Sequence, residues 1–285
     1  EGIPPQMRLG ELHVVPVEGG LARRLGDGVT NVPGGLLFTP DSKHVLFLTG
    51  YNLANQSGTL HSLVLNEPTA EPRRLGDAVT YFVPSPDGTR LAFVDGGVLK
   101  LGPLPSGPFR ALGGEVATAG FSPDGRTLFF KRKLQAAGSL LAVAVDAPED
   151  KTGEPRRLGD QVGDYIVAPD SQRVAFQARG SANTYDLYLA APPEWTAKKV
   201  ATGTTAFAFS PDSQWLARND GGKPEQLGDL MVGPATGAPG RKVGEGVKEL
   251  AFSPDSKALG FLAKYDQPAG AGLMGVVVLP DGEPK

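Results

Sequence analysis

Five acidic residues recur at matching points of the chain, each close behind a basic-apolar-glycine element of the "RRLGD" type. They are Asp27, Asp77, Glu115, Asp160 and Glu245. Carboxylates gathered around one opening would bind a basic peptide or a hard cation such as calcium, which prefers oxygen ligands. Aspartate after Leu-Gly also suits an ordinary turn, so the sequence leaves both interpretations open.

The other candidate binding residues lie in segments that differ in length and composition between otherwise similar apolar runs. Variable loops on a rigid scaffold are where binding residues commonly lie. The candidates are Tyr51, Asn52, Asn55, Lys131, Arg132, Lys133, Arg179 and Tyr265.

Catalytic and metal-binding signatures are missing from the sequence. It has no G-x-S-x-G elbow, H-E-x-x-H helix, P-loop or EF-hand loop, and no cysteine. His44 and His61 lie on adjacent predicted strands and form a minimal pair for a metal, but two histidines without a carboxylate make a weak site. We therefore predict no catalytic and no metal-binding residues, and leave open whether the protein is an enzyme.

The elements that position these residues come from a repeat. "FSPDGRTLFF" from Phe121 returns as "FTPDSKHVLF", "PSPDGTRLAF", "VAPDSQRVAF", "FSPDSQWLAR" and "FSPDSKALGF", with Pro-Asp pairs at 40–41, 86–87, 123–124, 169–170, 211–212 and 254–255. A period of about 40 residues with several short strands per unit is typical of β-propeller blades. Proline, aspartate and a small residue favour a tight turn, so we interpret the six aspartates as structural.

Each repeat divides into four predicted strands, which we call a, b, c and d. Strands a and b flank the Pro-Asp turn, c is a short apolar run, and d carries the doubled basic residues that protect an exposed sheet edge. The sequence thus predicts an all-β, six-bladed propeller of four-stranded antiparallel blades, with 1–285 as a single domain. "ELHVVPVEGGLARRLG" resembles strands c and d without a and b, so we expect this terminal segment to close the ring in the sixth blade; a fragment of a longer, seven-bladed protein is the alternative.

The repeats resemble the WD40-like PD40 repeat of the TolB-like six-bladed propellers, and related repeats form propeller domains of tricorn-like and prolyl-oligopeptidase-like proteases. The resemblance runs from about Glu11 to Leu279. It implies a non-enzymatic scaffold that binds a protein or peptide through its b–c and d–a loops or its central channel, in the bacterial periplasm, cell envelope or outside the cell. A cation-dependent hydrolase or lyase with calcium in the channel, and the propeller portion of a larger protease or sensor, are the alternatives.

Charge and hydropathy restrict the classes of partner that the chain is expected to bind. The formal net charge is −3, whereas nucleic-acid binding needs a concentrated basic surface. No run of 18 apolar residues is present, so no membrane span is predicted. We expect a monomer with a protein or peptide partner and no nucleic acid.

Overall fold

The computed structural model describes residues 9–30, 34–67, 69–133, 138–147, 153–180, 184–222, 227–266 and 271–279. The described elements are all β-strands in antiparallel sheets. The chain divides into two compact units: residues 1–121, 125–132 and 143–155 form the first, and residues 122–124, 133–142 and 156–285 form the second.

The first unit begins with a hairpin of strands β1 (Leu9–Val14) and β2 (Arg23–Thr30). Its apolar residues Leu12, Leu25 and Val29 pack with Val45 and Phe47 of the first repeat. A seven-stranded sheet follows, in the order β3 (Leu36–Phe38), β4 (His44–Asn52), β5 (Ser57–Val64), β6 (Arg73–Pro84), β7 (Arg90–Asp95), β8 (Val98–Pro103) and β9 (Arg110–Gly114).

The length of β6 explains why two predicted blades form one sheet. Its first part, Arg73 to Gly76, pairs with β5 as strand d of the first repeat. Its second part, Tyr81 to Pro84, pairs with β7 as strand a of the second repeat. The backbone therefore remains extended across a connection where the sequence predicts a loop.

The third repeat forms a four-stranded sheet of β10 (Val116–Phe121), β11 (Thr127–Arg132), β12 (Ser139–Ala144) and β13 (Arg156–Gly159). The fourth repeat forms a four-stranded sheet of β14 (Val162–Val167), β15 (Val174–Arg179), β16 (Tyr185–Ala190) and β17 (Lys198–Ala201). The fifth repeat forms another, of β18 (Phe207–Phe209), β19 (Trp215–Asp220), β20 (Asp229–Pro234) and β21 (Arg241–Gly244). The last sheet of the second unit has three strands, β22 (Val247–Phe252), β23 (Ala258–Asp266) and β24 (Ala271–Val278). The all-β prediction is confirmed.

The Pro-Asp turns have the predicted structural role. In the second repeat, Asp87 Oδ1 accepts hydrogen bonds from the Ser85 hydroxyl (2.6 Å) and the Thr89 backbone N–H (3.0 Å). The third turn residue is left-handed in all six repeats, with φ between 58° and 73° at Ser42, Gly88, Gly125, Ser171, Ser213 and Ser256. The carboxylates of all six aspartates accept hydrogen bonds within their turns, which agrees with the structural interpretation.

Serines of the turns also join successive repeats of the second unit. The Ser171 hydroxyl accepts the backbone N–H of Asp124 (3.0 Å). Ser213 accepts that of Asp170 at 2.9 Å, and Ser256 accepts that of Asp212 at 2.9 Å. A side chain in the left-handed region is uncommon, and here its hydroxyl forms a hydrogen bond that glycine cannot form.

The glycine of the Leu-Gly element makes room for an aromatic ring of the next repeat. A Cβ on Gly159 would lie 2.6 Å from the Phe176 ring, and a Cβ on Gly244 would lie 2.8 Å from that of Phe261. Because no real Cβ approaches a carbon so closely, only glycine lets strand d pack on the phenylalanine of strand b.

Candidate functional site

The predicted acidic residues directly follow the basic-apolar-glycine part of each d strand, and four of them form an ion pair with a base three residues earlier. The pairs are Arg24–Asp27, Arg74–Asp77, Arg157–Asp160 and Lys242–Glu245, the last at 2.8 Å. All four carboxylates are exposed, with side-chain accessibilities of 55–67%. Compensated charges of this kind attract a cation weakly, so the geometry favours the turn interpretation.

A β-bulge explains how residues three apart on a strand come together. In strand d of the first repeat the register passes from Leu60↔Gly76 to His61↔Arg74, and Leu75 is skipped. The bulge interrupts the alternation of side chains and re-aims the following residues. The fifth predicted acid, Glu115, is itself left-handed (φ 58°) and donates its backbone N–H to the Gly97 carbonyl at 3.1 Å, which is also a turn role.

The b–c loop of the first repeat presents two amide side chains. Asn52 Oδ1 accepts the Ala54 backbone N–H (2.9 Å), and Asn55 Oδ1 accepts the Ser57 hydroxyl (2.9 Å). Both asparagines are exposed, whereas Tyr51 is half-buried and packs against the apolar cluster of the first two repeats. The oxygens hold the loop in shape, and the loop surface is uncharged, with Leu53 41% exposed between the two asparagines.

The basic residues of the third repeat separate into different roles. Arg132 donates to the Leu112 carbonyl (2.6 Å) and lies over the Phe130 ring at 5.8 Å, so it is a packing residue. Lys131 is half-buried and Lys133 is exposed. In the fourth repeat Arg179 is exposed at the end of β15. The Tyr265 side chain lies outside the described residues.

The two histidines of the first repeat do not form a pair. His61 is opposite Phe47, three residues from His44, and successive side chains of a strand alternate between faces. The two rings therefore lie on opposite faces of the sheet. His61 Nε2 is 2.9 Å from the Thr49 hydroxyl, and burial lowers the pKa of both histidines. Within the described ranges, no group of three or more histidines and carboxylates is placed to hold a metal ion.

A buried polar cluster in the fourth and fifth repeats was missed by sequence reasoning. The Arg218 side chain is 5% exposed, and its Nε donates to Asp220 at 3.0 and 3.1 Å. Burial raises the pKa of Asp220 against the opposing effect of Arg218. The Thr204 hydroxyl lies near this carboxylate without a hydrogen bond of ordinary geometry, and the Thr204 carbonyl accepts Gln177 Nε2 at 2.5 Å.

A comparison of the six repeats by position reveals this cluster. Seven residues after the proline of each Pro-Asp pair, five repeats have phenylalanine: Phe47, Phe93, Phe130, Phe176 and Phe261. The fifth repeat has Arg218 there, with Asn219 and Asp220 behind it. The signal was present in the sequence, but it appears only when the repeats are aligned with one another.

A groove of about 410 Å³ lies at the other end of these two repeats, where the Pro-Asp turn and c–d loop meet. Arg173, Glu194, Lys198 and Thr236 contribute polar groups to its lining. This groove is a second candidate binding surface, at the end of the repeats opposite to the b–c and d–a loops.

The chain is similar in fold to several solved structures. An oligogalacturonate lyase in complex with manganese aligns at 14% identity, covering 94% of this chain and 82% of that one, with a TM-score of 0.51. TolB from Acinetobacter baumannii aligns at 15% identity over 81% of this chain and 61% of that one, with a TM-score of 0.39. A TolB candidate from Agrobacterium tumefaciens aligns at 17% identity over 96% and 99%, with a TM-score of 0.42.

No protein-family model matches the chain, and no curated protein matches it. In the parts of the chain that the structure describes, no helix has the length and apolar character to cross a membrane. The structural similarities show the fold and do not separate binding proteins from enzymes. The presence of TolB proteins among the matched structures agrees with the resemblance that the repeats show.

Proposed function

We propose that the protein is a non-enzymatic scaffold that binds a protein or peptide through the b–c and d–a loops or the channel they surround. One observation carries the proposal: the loops at the two ends of the repeats differ in how much they vary from repeat to repeat. At the Pro-Asp end the turns are nearly identical and self-satisfied, whereas the opposite end carries loops that differ from repeat to repeat.

The turns illustrate the first half of this contrast. The carboxylates of Asp87, Asp212 and Asp255 each accept a serine hydroxyl and a backbone N–H within their own turn. Groups already paired in this way gain little from a partner, because a new hydrogen bond would replace an existing one.

The loop end supplies the second half. Asn52 and Asn55 are exposed in the first repeat, Lys133 in the third and Arg179 in the fourth. Polar and basic side chains of different kinds on a rigid scaffold suit recognition of an extended partner with matching acidic and amide groups.

Affinity capture from an envelope extract of the source organism tests this proposal. The bait is the purified chain, compared with a loop variant (Asn52→Ala, Asn55→Ala, Lys133→Ala) and a matched variant at the opposite groove (Glu194→Ala, Lys198→Ala). We expect the partner to be lost with the first variant and retained with the second. Retention by the first and loss by the second would place binding at the Pro-Asp end and overturn the proposal.

We also propose a single six-bladed domain in which β2 supplies strand d of the sixth blade. The sheet of β22–β24 has three strands where the third, fourth and fifth repeats have four. On its last strand Met274, Val276 and Val278 are 66–85% exposed. An uncovered apolar strand of this kind supports pairing with a further strand, which would remove the open edge. A monomer in the periplasm or cell envelope completes this proposal.

The alternative is a cation-dependent propeller enzyme. The similarity to the manganese-bound oligogalacturonate lyase is one of fold. It is therefore compatible with an enzymatic function but does not favour it over binding. Calorimetric titration with calcium, magnesium, manganese and zinc separates the two functions. Saturable heat with one of these ions, together with a rise in thermal midpoint, would favour the enzyme; the scaffold proposal predicts neither.

A further inference from the structure

The hairpin of β1 and β2 has the register of strands c and d in a complete repeat. Leu12 of β1 lies opposite Gly26 of β2, and a bulge separates this pair from the two arginines of β2. In the first repeat Leu60 of β5 lies opposite Gly76 of β6, with a bulge at the same point. On β2, therefore, β1 occupies the place that strand c occupies on strand d.

The same apolar residue of strand c is fully buried in the five repeats that have a strand d. It is Leu60, Leu99, Leu140, Leu187 and Leu230, each 0% exposed. In the first repeat this residue lies opposite Leu48, eight residues after the proline of the Pro-Asp turn. The residue opposite the matching Leu262 in the sixth repeat is Met274, which is 85% exposed. Among the described strands β24 is the last of its sheet, so it is a strand c without its strand d.

A glycine two residues before this position also marks β1 as a strand c. A Cβ on Gly58 of β5 would lie 3.0 Å from the Thr49 carbonyl oxygen, and a Cβ on Gly272 of β24 would lie 3.1 Å from that of Ala263. Both carbonyls belong to strand b. The matching Gly10 of β1 has open space around it. Thus β1 has the glycine that a neighbouring strand b requires, without a strand b beside it.

We propose that β1 and β24 are alternative occupants of one strand-c place, between β23 and β2. A blade has a single strand c, so β24 pairs with β2 only if β1 leaves it. Closure of the sixth blade is then a strand exchange, in which Val276 takes the position of Val14 opposite Arg23. This inference rests on the proposed closure by β2 and is independent of what the protein binds.

Burial favours β24 in this strand exchange. On β24, Met274 is 85% and Val276 66% exposed, and their equivalents in the fifth repeat are at most 1% exposed. The residues that they replace, Leu12 and Val14, are only half-buried where they are. The strand exchange therefore removes more apolar surface from water than it returns. Until it occurs, β1 covers the edge of β2 and keeps that edge from pairing with another chain.

Disulfide trapping tests the strand exchange, because the chain has no cysteine of its own. Arg23→Cys with Val276→Cys reports β24 on β2 (the β24 link), and Arg23→Cys with Val14→Cys reports β1 on β2 (the β1 link). Opposite residues of antiparallel strands have Cα atoms about 4.5–5.5 Å apart, which a disulfide spans. The control is Arg73→Cys with Val276→Cys, because Arg73 has the same position in the first repeat and lies opposite Ser62.

Limited oxidation of dilute protein, followed by mass spectrometry of the linked peptides, measures the fraction of each link. We expect the β1 link and the β24 link within one chain, and no link in the control. Leu12→Asp places a charge in the apolar cluster that contains Phe47. It is expected to raise the β24 link about threefold or more and to lower the β1 link, because the two strands compete for one edge. Met274→Asp is expected to have the reverse effect.

The outcomes separate the strand exchange from the closure on which it rests. Without the β24 link in either background, or with that link only between two chains, both fail. The same holds if the control links as readily as the β24 pair. If the β24 link forms within one chain but is unchanged by Leu12→Asp, the closure stands and the strand exchange is wrong, because β2 then pairs with β1 and β24 along different edges. None of these results depends on the partner that the scaffold binds.

Discussion

Substitution of Ser213 tests the serine hydrogen bonds that join successive repeats. Its hydroxyl accepts the Asp170 backbone N–H at 2.9 Å, the residue is 2% exposed, and its φ is 61°. Ser213→Ala keeps the left-handed backbone and removes the acceptor, so we expect a loss of about 1–2 kcal/mol in the free energy of unfolding. Ser213→Gly also removes the acceptor but relieves about 1 kcal/mol of backbone cost, for a net loss of about 0–1 kcal/mol.

Guanidinium unfolding followed by tryptophan fluorescence measures both variants. Trp215, two residues further on and 5% exposed, reports on this turn. The expected order of stability is wild type, then Ser213→Gly, then Ser213→Ala. A Ser213→Ala variant as stable as the wild type would show that the hydroxyl does not join the repeats. Lower stability of the glycine variant than of the alanine variant would refute the argument from φ.

Two further predictions concern the turns and strand d. The Ser85 hydroxyl holds the pKa of Asp87 below its usual value of 3.8. The stability that the ionised Asp87 contributes is therefore present above that pH and is lost as pH falls through the lowered pKa. Asp87→Asn should make the loss of folding stability below about pH 4 less steep, and an unchanged pH dependence of acid unfolding would contradict this. Gly159→Ala should cost about 1–3 kcal/mol in chemical denaturation, because its Cβ meets Phe176, whereas Gly10→Ala, with open space around it, should change little; equal effects would contradict the packing argument.

Much of the fold could be predicted because its determinants are local and occur six times. The turn at Asp87 depends on residues within four positions, and its proline, aspartate and glycine specify it directly. Alternating apolar residues predicted the strands because that pattern, too, is local to each strand. The long β6 was not predictable, because the extended backbone between Gly76 and Val79 depends on pairing with β5 and β7.

The candidate site was harder to predict because its contacts are between distant residues. The acids after Leu-Gly recur as a set in the sequence, but their ion pairs depend on a bulge that only the register shows. Arg132 reads as an exposed base in the sequence, yet its partner, the Leu112 carbonyl, is 20 residues away. Arg218 was overlooked because a single repeat does not show that phenylalanine is expected there.

Hydrogen exchange of the chain, alone and with its captured partner, tests the central claim most directly. We expect protection of the b–c loops around Asn52 to Asn55 and Lys131 to Lys133, with exchange at the Pro-Asp turns unchanged. Protection confined to the Pro-Asp turns or to the groove lined by Glu194 and Lys198 would contradict the assignment of the loop end as the binding surface.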